Sequence, residues 1–264
     1  MTITDTVRNA LAEDIGDGDI TTNLCVPEHL QARGRFVARE ALVLAGGSLL
    51  SLIFPTLRWS GIDGGVLATG DVIAEVSASA RYLLTHERVA LNILQRMSGI
   101  ATLTRKYVEA VAGTGCRILD TRKTTPGLRA LEKMATVAGG AVNHRMGLWD
   151  AILIKNNHIT AAGGVTAALA ACAGKPAEIE VRTRAELEEA LACGAKHLLL
   201  DNLTPAEARQ WIIYINRRAT VELSGGITLE TVRAFAETGA DFVSVGALTH
   251  SAQAVDINFR LELL

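Results

Sequence analysis

Five residues in the second half of the chain stand at the same point of a repeating pattern. Short apolar runs recur at 117–121, 151–155, 178–182, 197–202, 221–225 and 242–246, and Lys155, Glu180, Asp201, Ser224 and Gly246 stand near the ends of the later ones. Successive markers are 25, 21, 23 and 22 residues apart, which is one strand, one helix and two short loops per step. Each run reads as apolar through its body and polar at its C-terminal end, with Asp120 closing the first. In a βα barrel those ends share one face, where active sites are built.

The chemistry on that face is set by charge. Between Arg117 and His158, Arg117, Arg122, Lys123, Arg129, Lys133, Arg145 and Lys155 face only Asp120, Glu132 and Asp150, a local balance of +4, with His144 and His158 in addition. Arginine offers a planar fork to carboxylate or phosphate oxygens, and lysine a compact point charge. Such cations repel one another unless an anion fills the space between them, so a small polyanionic substrate is expected. Ser224-Gly225-Gly226, ahead of an expected helix cap at Thr228, offers unobstructed backbone N–H groups for a phosphate, and Gly246-Ala247 ends the last run in similar fashion. Glu180 and Asp201 suit either Mg²⁺ bridged to phosphates or sugar hydroxyls. They also suit plain ion pairing with Arg182 or Lys155.

The elements that must position these groups follow from periodicity. Helices are expected at 184–193 and 229–238 between the later runs. Before residue 100 the pattern is mixed: a helix at 4–12, an acidic turn-rich loop at 13–19, strands at 33–44 and 72–84, and a helix at 48–54 between them. Apolar spacing predicts a helix over 86–111, broken at Ser98-Gly99, where the domain boundary is expected.

Composition limits the alternatives. The chain has 264 residues, 49% apolar, 20% charged, with net charge −2, which argues against a nucleic-acid partner. Aromatics are only 4%, so Ala, Val, Leu and Ile must build the core, as suits parallel strands under helices. Residues 41–57 carry no charge but fall short of the ~20 apolar residues a membrane span needs. Cys25, Cys116, Cys172 and Cys193 lack metal-ligand or paired spacing, and residues 1–13 lack a signal peptide's apolar stretch. A cytoplasmic chain with reduced thiols and no membrane partner is expected.

Several stretches together carry a resemblance. They are Glu13-Asp14-Ile15-Gly16-Asp17-Gly18-Asp19-Ile20-Thr21-Thr22, Glu87-Arg88-Val89-Ala90-Leu91-Asn92, and Leu119-Asp120-Thr121-Arg122-Lys123-Thr124-Thr125-Pro126-Gly127. They continue as Asn143-His144-Arg145-Met146-Gly147, Leu153-Ile154-Lys155-Asn156-Asn157-His158, Leu200-Asp201-Asn202, Ser224-Gly225-Gly226-Ile227 and Ser244-Val245-Gly246-Ala247-Leu248-Thr249-His250. Nearly end to end and in order, the sequence resembles the quinolinate phosphoribosyltransferases. That resemblance implies an α/β fold: a TIM-like, incomplete, about seven-stranded βα barrel at 101–255. An N-terminal α+β sandwich domain at 1–100 would precede it, with 256–264 packing back on that domain.

The resemblance also implies a reaction, joining quinolinate to 5-phosphoribosyl-1-pyrophosphate (PRPP) to give nicotinate mononucleotide, CO₂ and pyrophosphate in NAD biosynthesis. By the same resemblance Arg88, Arg122, His144, Arg145 and Lys155 surround the pyridine dicarboxylate, with Arg88 reaching in from the partner subunit of a homodimer. Lys123, Glu180, Asp201, Ser224, Gly225, Gly226, Gly246 and His250 hold the ribosyl donor and its Mg²⁺, with Thr121 and Ala247 beside them. Lys123, Lys155, Glu180 and Asp201 are the expected catalytic residues, Glu180 and Asp201 the expected metal contacts, and no organic cofactor is required.

Four positions depart from the family pattern: Asn156 and Arg182 where acidic residues are frequent, Met134 for a tyrosine, and Ala141 closing a glycine triplet. Three rivals remain: a molybdenum-associated paralogue of similar fold, a Schiff-base aldolase using Lys155, and a non-catalytic phosphometabolite-binding protein.

Overall fold

The computed structural model describes residues 2–59 and 61–264; Met1 and Ser60 lie outside it. In chain order the elements begin α1 (Ile3–Ile15), α2 (Ile20–Cys25), β1 (Gln31–Ala38), β2 (Leu42–Val43), β3 (Val66–Leu67), β4 (Val72–Ser79), α3 (Ala80–Ala110) and β5 (Arg117–Leu119). They continue α4 (Arg129–Ala138), β6 (Ile152–Ile154), α5 (Asn156–Ala162), α6 (Val165–Ala171), β7 (Ala177–Val181), α7 (Arg184–Ala192) and β8 (His197–Asp201). The last are α8 (Pro205–Ile215), β9 (Thr220–Ser224), α9 (Val232–Ala236), β10 (Phe242–Ser244), α10 (Ala247–His250) and β11 (Ile257–Leu263). Among the described residues no helix is long and apolar enough to cross a membrane.

Two compact units result. The first comprises 1–105, 124–140 and 248–264; the second comprises 106–123 and 141–247. These limits differ from the expected division into 1–100 and 101–255, because 124–140, which carries α4, and 248–255 group with the N-terminal residues. Apolar contact explains the first of these: Leu131 and Ala135 of α4 are buried in one cluster with Leu94, Met97 and Ile100 of α3. The first unit also holds an antiparallel sheet ordered β11-β1-β4, so the C-terminal segment supplies a strand beside β1.

Several sequence expectations are corrected here. The strand expected over 72–84 stops at Ser79, and the helix expected over 48–54 is a 3-10 turn, Gly47–Leu52. Helix α3 runs unbroken through Ser98-Gly99. Its glycine serves a close approach: a Cβ on Gly99 would lie 2.0 Å from the Gln253 carbonyl oxygen. Ser98 is fully buried, and its hydroxyl accepts from the Ala45 N–H at 3.1 Å.

The second unit is a parallel sheet of six strands ordered β5-β10-β9-β8-β7-β6. The expected count was about seven. The seventh place beside β5 holds a single bridge, Leu119 to Val142, where the Val142 N–H donates to Ile118 O and the Asp120 N–H to Val142 O. Pairing ends there because the buried Asp120 carboxylate takes the His144 N–H at 2.8 Å and turns the chain. Strand interiors such as Ile118, Ile179, Leu198, Leu200, Leu223 and Val243 are buried, as a sheet covered by helices demands. The strand bodies are not wholly apolar, however: Glu178 and Glu222 lie within β7 and β9. Thr183 and Thr204 cap α7 and α8 in reciprocal capping boxes with Glu186 and Glu207. The helix expected over 229–238 shortens to α9, and Thr228 is not its cap: a turn across Thr228–Thr231 precedes it.

Gly99→Ala separates two effects. Helix propensity alone predicts a gain of about 1 kcal/mol. The clash with Gln253 predicts a net loss of roughly 1–3 kcal/mol, seen as a lower urea midpoint; a rise in that midpoint would remove the close-approach account.

Candidate active site

Alternation along β7 sets the first part of the site. Glu178 and Glu180 are two residues apart and leave the same face of the strand, while Ile179 and Val181 are fully buried on the other. The register pairs Asp201 at the end of β8 with Ser224 at the end of β9. Parallel pairing thus brings together groups far apart in sequence.

Around Glu180 the charges interlock. Lys155 Nζ lies 3.7 Å from Glu180 Oε2, and Arg182 Nη2 lies 3.0 Å from Glu180 Oε1 and 3.5 Å from Asp201 Oδ2. Both ion-pair alternatives open in the sequence are therefore realised. Glu180 is 4% exposed, yet its Oε1 has no hydrogen-bond partner. Asn202 Nδ2 donates to Asp201 Oδ2 at 2.7 Å, and the Asn202 N–H donates to Ser224 O at 2.9 Å. Gly225 is required by this arrangement, since a Cβ there would sit 2.2 Å from Asn202 Oδ1. Gly226 has φ +60 and open space where a side chain would start, a backbone ledge that a ligand can approach.

A second cluster joins His144 to the two acids that the sequence pattern did not single out. His144 Nε2 lies 3.2 Å from Glu178 Oε2 and 3.5 Å from Glu222 Oε2. Burial lowers the affinity of the imidazole for a proton, but the hydrogen bonds and charges of Glu178 and Glu222 outweigh it and push its pKa up to about 9. Glu222 is raised by burial and by Glu178, against the opposing pull of His144. Nε2 is the ring nitrogen that faces the carboxylates, while Nδ1 lies 2.7 Å from the Arg145 backbone nitrogen. By distance alone the three ligand atoms, within 4.8 Å of one another, could hold a metal. With its pKa raised to about 9 the ring is an imidazolium whose Nε2 carries a hydrogen toward the carboxylates, so in that state it has no lone pair to offer one.

Of the remaining expected residues, Arg145 is partly buried; desolvation first, then the like charge of Arg122, lower its hold on a proton, with Asp150 and Glu178 opposing. Thr121 Oγ1 accepts from the Lys123 N–H at 3.0 Å, a turn that leaves Lys123 exposed. Gly246 follows β10 after Val245, and Ala247 opens α10. Arg88, exposed on α3, and His250, whose Nδ1 lies 2.7 Å from Ser251 Oγ, group with the first unit. Both overlooked acids had a signal in the sequence. Glu178 stands at i−2 from Glu180, and Glu222 interrupts an otherwise apolar strand.

Comparison with known proteins decides the family. Residues 19–98 match the quinolinate phosphoribosyl transferase N-terminal domain, and residues 100–260 match the C-terminal domain. The chain belongs to the quinolinate phosphoribosyltransferase family. It is 43% identical over 273 residues to the nicotinate-nucleotide pyrophosphorylase (carboxylating) of Mycobacterium leprae, covering 97% of this chain and 96% of that one. NadC from Streptococcus pyogenes superimposes with a TM-score of 0.93 at 42% identity, over 99% of this chain and 97% of that one. The nicotinate-nucleotide pyrophosphorylase from Ehrlichia chaffeensis gives 0.95 at 36% identity, over 99% of both chains. The expected α/β fold is thus the fold of the family.

Family membership does not favour the molybdenum-associated alternative. The aldolase reading fails on chemistry as well. Half the Lys155 side chain is exposed and its Nζ faces a carboxylate, whereas imine formation needs a desolvated amine.

The raised His144 pKa has a pH signature. A site whose native pKa is raised from 6.5 to about 9 contributes stability that is complete below pH ~6.5 and lost as pH rises through about 9. Ring-proton NMR of His144 should show its transition near pH 9, and Glu222→Gln should lower that midpoint by about one unit or more. An unchanged midpoint in the variant would show that Glu222 does not help hold the His144 proton.

Proposed function

We propose that this chain transfers the phosphoribosyl group of PRPP to quinolinate with decarboxylation, releasing CO₂ and pyrophosphate and leaving nicotinate mononucleotide. One observation carries the reading: a mutually repelling guanidinium pair, Arg122 and Arg145, shares a unit with the strand-end carboxylates Glu180 and Asp201. The first suits a dicarboxylate, the second a cationic centre, and quinolinate with PRPP presents both.

The chemistry is positioning and electrostatics. Arg122, His144, Arg145 and Lys155 orient the quinolinate carboxylates so that the ring nitrogen faces the anomeric carbon. The C–O bond to pyrophosphate breaks as the N–C bond forms, and positive charge grows on the ribosyl ring. Glu180 and Asp201 stabilise that charge and take the ribosyl hydroxyls. Lys123 offsets charge on the departing pyrophosphate, and the N–H groups of Ser224–Gly226 with Gly246, Ala247 and Thr121 hold the donor. The new pyridinium then draws in the electrons of the C2–carboxylate bond as CO₂ leaves, and a proton fills C2.

Glu180 and Asp201 also fit Mg²⁺. A buried carboxylate oxygen without a hydrogen bond, next to a second carboxylate, is what a hard cation prefers. When bound, the metal would supply charge neutralisation for the donor's pyrophosphate. Arg88 is proposed to act from the partner subunit of a homodimer, and the spacing of the four cysteines supports a cytoplasmic location.

The direct experiment is incubation with carboxyl-labelled quinolinate, PRPP and Mg²⁺. Labelled CO₂ and nicotinate mononucleotide should appear together; a folded protein giving neither sinks the proposal. Arg145→Ala should weaken quinolinate binding on the order of 10–100-fold, the value of a lost charge-assisted contact, while thermal unfolding stays near wild type. Normal affinity in that variant would refute its role. Co-expressing Arg88→Ala with Arg145→Ala should restore about a quarter of wild-type activity, because mixed dimers regain one complete site. No restoration from two separately inactive variants would exclude the shared-site arrangement.

A further inference from the structure

The Arg182 guanidinium reaches both carboxylates proposed to hold the metal. A single nitrogen, Nη2, lies 3.0 Å from Glu180 Oε1 and 3.5 Å from Asp201 Oδ2. It occupies the space between two anionic oxygens that a ligated cation would otherwise take.

The two sides of this contact are held differently. The Glu180 side chain is 4% exposed and that of Asp201 13%, whereas Arg182's is 46% exposed. Glu180 Oε1 has no hydrogen bond despite the nearby guanidinium, so attraction holds Arg182 there without an aligned N–H. Its backbone is pinned: the Arg182 N–H donates to Glu186 Oε2 at 2.7 Å, and the Thr183 N–H donates to the same oxygen at 3.1 Å. Motion is therefore left to the side chain alone. Lys155 already faces the other oxygen of Glu180 at 3.7 Å. A divalent ion arriving beside Arg182 meets like charge at close range, and the two cannot share one pair of carboxylates.

We infer that Arg182 is a tethered internal cation that neutralises the Glu180–Asp201 pair in the substrate-free protein and yields its place when the ribosyl donor arrives with a metal. This rests on the proposed role of Glu180 and Asp201. Arg182 is thus a positioning residue. It suppresses binding of free divalent ions and couples their entry to the donor, whose pyrophosphate brings the compensating negative charge. Only the side chain needs to rotate away.

The test uses the whole chain without quinolinate or PRPP, so it is read independently of turnover. Mn²⁺ binding is titrated by electron paramagnetic resonance for the wild type, Arg182→Gln, and Arg182→Met, which keeps the aliphatic stem should the first variant fold poorly. The folded variant should bind Mn²⁺ at least about tenfold more tightly than wild type, and adding Asp201→Asn should abolish the gain. Equal affinity in wild type and variant, no binding by either, or a gain that survives Asp201→Asn would each overturn the inference. Failure of the CO₂ assay alongside a gain in Mn²⁺ affinity would instead locate the error in the proposed reaction.

Discussion

Everything in the second unit answers to the cost of gathering carboxylates at the end of a parallel sheet. Glu178 and Glu180 on β7, Asp201 on β8 and Glu222 on β9 are all at least partly buried, and an unpartnered buried ion costs several kcal/mol. Each has a partner of its own kind. Lys155 and Arg182 flank Glu180, Arg182 and Asn202 serve Asp201, and His144 lies between Glu178 and Glu222. The cations are held by the acids as much as the acids by the cations, so a change in one protonation or one ion pair reaches the next.

The fold makes that gathering possible. Strands running in one direction bring their C-terminal ends to the same side, and helices on the connections cover the apolar bodies. The reciprocal caps at Thr183 and Thr204 restart the chain as helix directly after β7 and shortly after β8. That keeps the polar side chains at the strand ends rather than trailing into long loops. Gly225 matters for a related reason. It lets Asn202 lie against the end of β9 and steady Asp201, a contact no residue with a Cβ could permit there.

Two cationic environments then divide the work. Arg145 is partly buried with Arg122 as a like charge, while Arg182 and Lys155 already balance carboxylates. His144 adjoins Arg145 directly, its Nδ1 lying 2.7 Å from the Arg145 backbone nitrogen.

The sequence alone determined the rhythm of strand and helix, the placing of Lys155, Glu180, Asp201 and Ser224 near strand ends, and the excess of positive charge around Arg122 and Arg145. Periodicity and composition act along the chain, so these are legible in one dimension. It misplaced the helix break at Ser98-Gly99 because a glycine needed for a close approach by Gln253 looks, in sequence, like one needed for a turn. It passed over Glu178 and Glu222 because an acid inside a strand has meaning only once its neighbour is known. Which carboxylate meets which cation depends on register between strands and on side-chain direction, and those are settled only when the sheet is assembled.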